Sequence, residues 1–152
     1  MRFLMDINYP LPPAFQSAAQ LVLNANLRRA LSEAPVDAAR VQELVAQAIV
    51  WHVSLDGEGL AYALRGTMLA MANRLVEEPG DLTNLQALEE AAGVAHSLPF
   101  PVHLSEVQNR YWQVLKGTYQ SYRERASHGD PESKDWAAHF RELGVRLSVS
   151  VE

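Results

Sequence analysis

Residues 60–78 read LAYALRGTMLAMANRLVEE and are followed directly by Pro79 and Gly80. Apolar side chains recur in this stretch every three or four residues, which is the spacing of one face of an α-helix. They are Ala63, Leu64, Met68, Met71, Ala72 and Leu75. Proline lacks the backbone N–H that a helix interior needs, and glycine is a poor helix former, so the pair ends the helix. The stretch therefore predicts a helix over 60–78 and indicates a mainly α fold.

Five further stretches with the same spacing lie on either side of it. The predicted helices cover residues 14–31, 35–52, 82–98, 105–125 and 131–144. Asp81 and Asp130 are typical helix starts, because aspartate accepts hydrogen bonds from the free N–H groups of a first turn. Ser105 and Gln108 match a capping box, whereas DGEG at 56–59 favours a turn. We predict a bundle of about six helices in a single domain over 1–152.

The first predicted helix is apolar over most of its circumference. Its predicted core face carries Phe15, Ala18, Ala19, Val22 and Ala25, and three leucines widen that surface, namely Leu21, Leu23 and Leu27. A helix with so wide an apolar surface is expected to have neighbours on more than one side.

Both ends of the chain alternate apolar and polar residues with a period of two, which is the pattern of a strand. The N-terminal set is Phe3, Met5, Ile7 and Tyr9, and the C-terminal set is Val145, Leu147, Val149 and Val151. Pro10 ends the first run, because proline removes a backbone donor. The sequence thus predicts short strand-like segments at both termini, which would need helices packed on them to be stable as a pair.

The composition excludes several classes of protein. The chain has 152 residues, with 13 Lys and Arg against 18 Asp and Glu, and its net charge is -5. No basic stripe of the kind that binds nucleic acid is present. Cysteine is absent, no apolar run reaches the ~18 residues of a membrane span, and the first residues do not match a secretory leader. We therefore expect a cytoplasmic protein that binds neither nucleic acid nor membrane.

Candidate catalytic and metal-binding groups are few. Asp56 and Glu58 form a carboxylate pair, but a turn exposes both to water, whereas acid–base catalysis needs environments that separate two pKa values. Glu89 is expected on a solvated helix face. His96 and His103 flank a proline-rich turn, without a third ligand at a spacing suited to zinc. We expect no catalytic residue, metal or cofactor in this chain.

The densest aromatic patch is NRYWQ at 109–113 and the residues that follow it. Three tyrosines have the spacing of a buried helix face and are expected in the core, namely Tyr111, Tyr119 and Tyr122. Gln108 and Trp112 point away from that face. An exposed aromatic ring beside amides is typical of carbohydrate-binding surfaces, because sugar rings offer C–H faces for stacking and hydroxyls for hydrogen bonding.

Two parts of the chain resemble a known family. The first is PPAFQSAAQLVLNANLRRAL at 12–31, and the second is AHSLPFPV at 95–102 leading into QNRYW at 108–112. Together they resemble the uncharacterised helical domain that follows the catalytic barrel in some family-57 glycoside hydrolases, a group of α-amylase and α-mannosidase relatives. Trp136 and the segment FRELG at 140–144 are similar to how those chains end.

The resemblance implies a non-catalytic helical accessory domain of a glycoside-hydrolase-like protein, because the catalytic carboxylates of that family belong to its barrel. Such a domain is expected to pack on the barrel and to contact α-glucan polysaccharide, with Gln108, Asn109 and Trp112 as the contact residues. The alternative is a self-standing helical interaction domain whose partner is a second copy of itself. A small enzyme would instead need Asp56, Glu58 and a histidine in one pocket.

Overall fold

The computed structural model describes residues 12–148, and these form seven α-helices joined by short connections. They are α1 (Pro13–Ser32), α2 (Ala38–Val50), α3 (Gly57–Glu77), α4 (Leu82–Ser97), α5 (Ser105–Gly117), α6 (Tyr119–Ser127) and α7 (Pro131–Arg146). Helix α3 is central and contacts α1, α4 and α5, while α7 packs on α4 and α6. The prediction of a mainly α fold is confirmed. The predicted N-terminal strand, and the part of the C-terminal strand beyond residue 148, lie outside the described residues.

Aspartates begin four of these helices. The carboxylates of Asp37, Asp56 and Asp81 each accept, at 3.2 Å, the backbone N–H of the residue three positions further on. Asp130 precedes α7 as predicted, but its carboxylate accepts the hydroxyl of Ser133 at 2.5 Å. The first three caps satisfy backbone donors that have no partner inside their own helix.

Helix α3 begins three residues earlier than predicted, so the interpretation of residues 56–59 as a free turn is wrong. Asp56 is the N-cap and Gly57 is the first helical residue. Gly57 lies against the ring of Phe100, and a Cβ on Gly57 would be 3.1 Å from the Phe100 Cβ. A glycine therefore stands here because the α4–α5 connection approaches the backbone closely.

The predicted helix over 105–125 is two helices, which raises the number within residues 12–148 from six to seven. It breaks at Thr118, whose N–H still bonds to a carbonyl of α5. Gly117 and the β-branched Thr118 are both weak helix formers, so an interruption at this point costs little. After the break, Tyr119 begins α6 and is buried.

The end of α7 also differs from the prediction. Gly144 does not stop the helix, which continues to Arg146 and is followed by a turn rather than by a strand beginning at residue 145. Side chains from two other helices satisfy carbonyl groups at this end: His96 hydrogen-bonds the Arg146 oxygen, and the Gln108 amide donates to the Leu147 oxygen at 2.6 Å. The last turn is stabilised because its free carbonyls have partners.

Five aromatic residues form the centre of the core between α5, α6 and α7. The ring centroids of Tyr111 and Phe140 are 4.3 Å apart, those of Trp136 and Phe140 4.8 Å, and those of Tyr122 and Trp136 4.0 Å. Tyr119 stacks on Phe140 from another side, at 5.2 Å. The prediction that the three tyrosines belong to the core is confirmed, with Tyr122 partly buried at its edge.

The polar atoms of this aromatic core are paired with backbone carbonyls. The Tyr111 hydroxyl donates to the Phe140 carbonyl at 2.8 Å, and the Trp136 indole N–H donates to the Pro79 carbonyl at 2.5 Å. Burial, with a smaller contribution from Tyr119, raises the pKa of Tyr111 well above its usual range. The hydroxyl therefore stays protonated and remains a donor.

Candidate functional site

The three residues predicted to contact a partner lie on α5 but have different surroundings. Gln108 donates to the carbonyl of Leu147 and so ties the start of α5 to the end of α7. The predicted capping box is wrong, because Ser105 makes no side-chain cap hydrogen bond and Gln108 is engaged elsewhere. Asn109 and Trp112 are exposed, with 41% of the Trp112 surface accessible. Two of the three predicted side chains are thus open to a ligand.

Asn109 and Trp112 belong to a solvent-facing surface that we call the α5 platform, consisting of Asn109, Trp112 and Lys116. These residues are three or four positions apart and therefore lie on one side of the helix. The opposite side carries the buried Val107 and Tyr111. The Lys116 Nζ lies 5.8 Å from the centroid of the Trp112 ring, within the range of a cation–π interaction. The α5 platform offers a flat ring flanked by an amide and an ammonium group.

The buried side of α1 is not the predicted one. The buried residues of α1 are Ala19, Leu23, Leu27 and Leu31. Phe15, Leu21 and Val22 are instead 51%, 75% and 55% exposed. The predicted core face is therefore wrong, since its members other than Ala19 face solvent. We call the exposed set the apolar α1 face; it consists of Phe15, Ala18, Leu21, Val22 and Ala25.

Polar side chains explain which side of α1 turns inward. The Gln16 amide donates to the His52 carbonyl at 2.9 Å, and the Asn24 amide donates to the Ser54 carbonyl at 3.0 Å. The Asn24 oxygen accepts the backbone N–H of Asp56 at 2.7 Å. These hydrogen bonds anchor α1 to the segment between α2 and α3. The orientation of a helix that is apolar all round is thus set by its few amides.

The apolar α1 face has no charged neighbour along its own helix until Arg28, because residues 13–27 are uncharged. Eight large hydrophobic residues are exposed within residues 12–148. Three of them belong to the apolar α1 face, and two more, Ile49 and Val50, lie at the end of α2. Among the helices within residues 12–148, none is both long enough and apolar enough to cross a membrane. An apolar patch of this kind, which has the size of the largest patch on an ordinary monomer, is often functional.

The two parts of the chain that carry the family resemblance meet at the start of α3. Arg28, from the first part, places its Nη2 3.4 Å from the Asp56 carboxylate. Phe100, from the second part, packs on Gly57. Arg28 and Phe100 are about 70 positions apart in sequence, and both contact the dipeptide Asp56-Gly57. These contacts join α1, α3 and the α4–α5 connection.

Glu89 forms a polar connection that the sequence interpretation missed. Its carboxylate lies 2.7 Å from the His139 Nδ1 and 4.0 Å from the Arg146 Nη2, and its carbonyl accepts the Arg146 Nη1 at 2.8 Å. The prediction of a solvated Glu89 is wrong, since this side chain is largely buried between α4 and α7. The sequence signal that indicates burial of Glu89 is its spacing. Glu89 is four residues after Leu85 and three before Ala92, and both of these residues are buried on the same helix.

Two of the candidate catalytic and metal-binding groups, Asp56 and His96, make structural contacts. The Asp56 carboxylate caps α3 and pairs with Arg28. His96 hydrogen-bonds the Arg146 carbonyl at the end of α7. Within the described range 12–148, no three histidine or carboxylate side chains are grouped so that they could hold a metal ion. The apolar α1 face and the α5 platform, by contrast, are open to a partner.

Comparison of the chain with family models, curated proteins and solved structures finds no match. The kinship with the helical domain of family-57 glycoside hydrolases therefore stays a prediction from the residues at 12–31 and 95–112.

Proposed function

We propose that this chain is a non-catalytic helical accessory domain of a glycoside-hydrolase-like protein, and that the apolar α1 face packs against the catalytic barrel of that protein. The observation that carries this proposal is an uncharged surface on which Phe15, Leu21 and Val22 are each more than half exposed. The barrel is the partner we favour because the apolar α1 face lies within residues 12–31, the first of the two parts that resemble the family.

The size of the apolar α1 face supports a partner within the same polypeptide. Covering each of its three large side chains contributes on the order of 1 kcal/mol. The whole face amounts to a few hundred Å² at most, typical of the largest apolar patch on a monomer, whereas stable separate partners bury roughly 800 Å² each. A contact this small is weak between separate molecules, and covalent linkage raises its occupancy by supplying a high effective concentration of the partner.

Charge placed on the apolar α1 face should abolish the interaction. We expect the double variant Leu21→Lys, Val22→Lys to bind a separately expressed family-57 barrel at least about 30-fold more weakly than the unmodified chain, since two ammonium groups would have to lose their hydration. A nuclear magnetic resonance titration of the isotope-labelled chain with the barrel, carried to millimolar concentration, measures the difference because it detects weak contacts. Both positions are exposed, so the free energy of unfolding should change little.

The matched control is Gln120→Lys, Ser121→Lys, which adds the same two charges at exposed positions of α6. It should bind the barrel as the unmodified chain does. Equal weakening by both variants would show a general charge effect and contradict a contact through the apolar α1 face. Absence of binding of the unmodified chain to the barrel, even at the millimolar concentrations that a short covalent linker would supply, would contradict the accessory-domain proposal.

The α5 platform supports a contribution to α-glucan binding. We expect Trp112→Ala to weaken binding of a soluble maltooligosaccharide roughly tenfold, because the ring is the largest surface a sugar could stack on there. The control is Tyr62→Ala: Tyr62 is also exposed and carries a cation over its ring, with the Arg65 guanidinium 5.6 Å from its centroid. Equal effects of the two substitutions, or no measurable binding to the unmodified chain, would remove the α5 platform from the proposal.

The second candidate function is a self-standing interaction domain that pairs with its own copy. The same apolar α1 face favours it, because two molecules of net charge -5 approach most easily where neither carries charge. Light scattering of the isolated chain separates the candidates. A stable dimer that the Leu21→Lys, Val22→Lys variant converts to a monomer would favour self-association, and a monomer would favour the barrel.

A further inference from the structure

A cleft of about 290 Å³ lies between the connection after α1, helix α3 and the first turns of α4. Its walls include Ala34, Ala70 and Ala87, whose short side chains leave the space open, together with Pro35 and Met71. The cleft is formed by other residues than the apolar α1 face and the α5 platform. Its volume is at the small end of the range for ligand pockets.

One buried amide determines the chemistry of this cleft. Asn84 lines it and is only 8% exposed. Its Nδ2 donates to the Met71 carbonyl at 3.0 Å, which fixes the orientation of the amide. Within residues 12–148, no group donates a hydrogen bond to its Oδ1. Every fully buried side-chain oxygen in these residues has a hydrogen-bond partner, so the Oδ1 of Asn84 is not fully buried. The Oδ1 therefore keeps some exposure to solvent, and the open space that Asn84 lines is this cleft.

The charges at the cleft are already compensated. The Arg74 Nη2 lies 3.3 Å from the Asp81 carboxylate, and the same carboxylate caps α4. An anionic ligand would compete with Asp81 for Arg74, and a cationic ligand would compete with Arg74 for Asp81. A neutral ligand avoids both costs and replaces only water.

We propose that this cleft binds a neutral, ring-sized apolar compound that donates one N–H or O–H hydrogen bond to Asn84 Oδ1, as an indole- or phenol-type ring does. The alanine, proline and methionine walls contact the ring, and the amide oxygen selects rings that carry a donor. The assignment does not rest on the proposed accessory function. The same ring chemistry occurs in free compounds and in the tryptophan side chain of a peptide, and the test below separates the two sources.

The test is a titration of the isotope-labelled full chain with indole and with 1-methylindole, followed by nuclear magnetic resonance. Indole should shift the backbone amide signals of Met71, Thr83 and Asn84. 1-Methylindole keeps the ring but lacks the donor and should bind about fivefold more weakly, which corresponds to one neutral hydrogen bond. N-acetyltryptophanamide binding more tightly than indole would assign the cleft to a peptide side chain and overturn a free ring as its ligand.

A filled cleft supplies the second arm of the test. Ala70 is exposed, so Ala70→Phe should fold and occupy the space, and indole binding should be lost. Ala138→Phe, at an exposed position of α7, is the matched control and should bind indole normally. Equal affinity for the two indoles, shifts spread over other helices, or normal binding by Ala70→Phe would each overturn the proposal.

Discussion

Replacement of Trp136 by alanine is expected to lower the free energy of unfolding by about 3–5 kcal/mol, the upper end of the range for single core substitutions. Trp136 is almost fully buried and stacks on both Tyr122 and Phe140. Its indole N–H also holds the Pro79 carbonyl, at the connection between α3 and α4. The substitution removes the ring from the centre of the aromatic core and leaves a cavity that three helices cannot close.

Urea unfolding followed by far-ultraviolet circular dichroism measures this loss. Trp136→Phe keeps an aromatic ring but removes the N–H donor and should cost about 1–2 kcal/mol. Trp112→Ala is the control, since Trp112 lies at the surface, and should change the free energy of unfolding by less than about 0.5 kcal/mol. A cost for Trp136→Ala close to that of the control would show that this core is not packed as described.

Two leucines of α1 form the second comparison. Leu23 is 2% exposed and Leu21 is 75% exposed, although they are two residues apart on the same helix. Leu23→Ala should therefore lower the free energy of unfolding by about 3 kcal/mol, through lost burial and the cavity left behind. Leu21→Ala should change it by less than about 0.5 kcal/mol. The same denaturation measurement serves both variants.

This pair tests the orientation of α1 directly. The residue type, the helix and the substitution are the same, so helix propensity cancels in the comparison. A larger loss for Leu21 than for Leu23 would mean that α1 turns its other side to the core and that the apolar α1 face does not exist. Equal losses would mean that both sides are covered, as in a dimer.

Much of the helical layout could be predicted because local signals were strong. The helix over 60–78 was found within three residues at either end, and Asp81 was predicted correctly as a cap, because spacing and capping depend on neighbouring residues only. The features that failed depend on distant partners. Gly144 is a local stop signal, yet His96 and Gln108 supply partners that carry α7 beyond it.

The candidate site was predictable only in part, for a related reason. Apolar residues surround the first half of α1, so periodicity could not choose an inner face, and the decision rests on Gln16 and Asn24 bonding to a segment about 30 residues away. Spacing alone placed Trp112 on the solvent side of α5, and the structure agrees. The same spacing placed Gln108 there, but Gln108 is partly buried and bonds to the Leu147 carbonyl. The ion pair between Glu89 and His139 joins residues 50 positions apart. Its only local sign in the sequence is that Glu89 lies beside the buried apolar residues of α4.

The contrast between Trp112 and Trp136 has a spectroscopic consequence. The chain has three tryptophans, and these two occupy opposite environments, one at the surface of α5 and one within the aromatic core. Acrylamide should quench the emission of Trp112 readily and leave that of Trp136 almost untouched, while Trp51, half-buried beyond the end of α2, should respond to an intermediate degree. Replacing two of the three tryptophans by phenylalanine leaves a single fluorescent probe. Trp112 would then report on the α5 platform, Trp136 on the core, and Trp51 on the region near the start of α1.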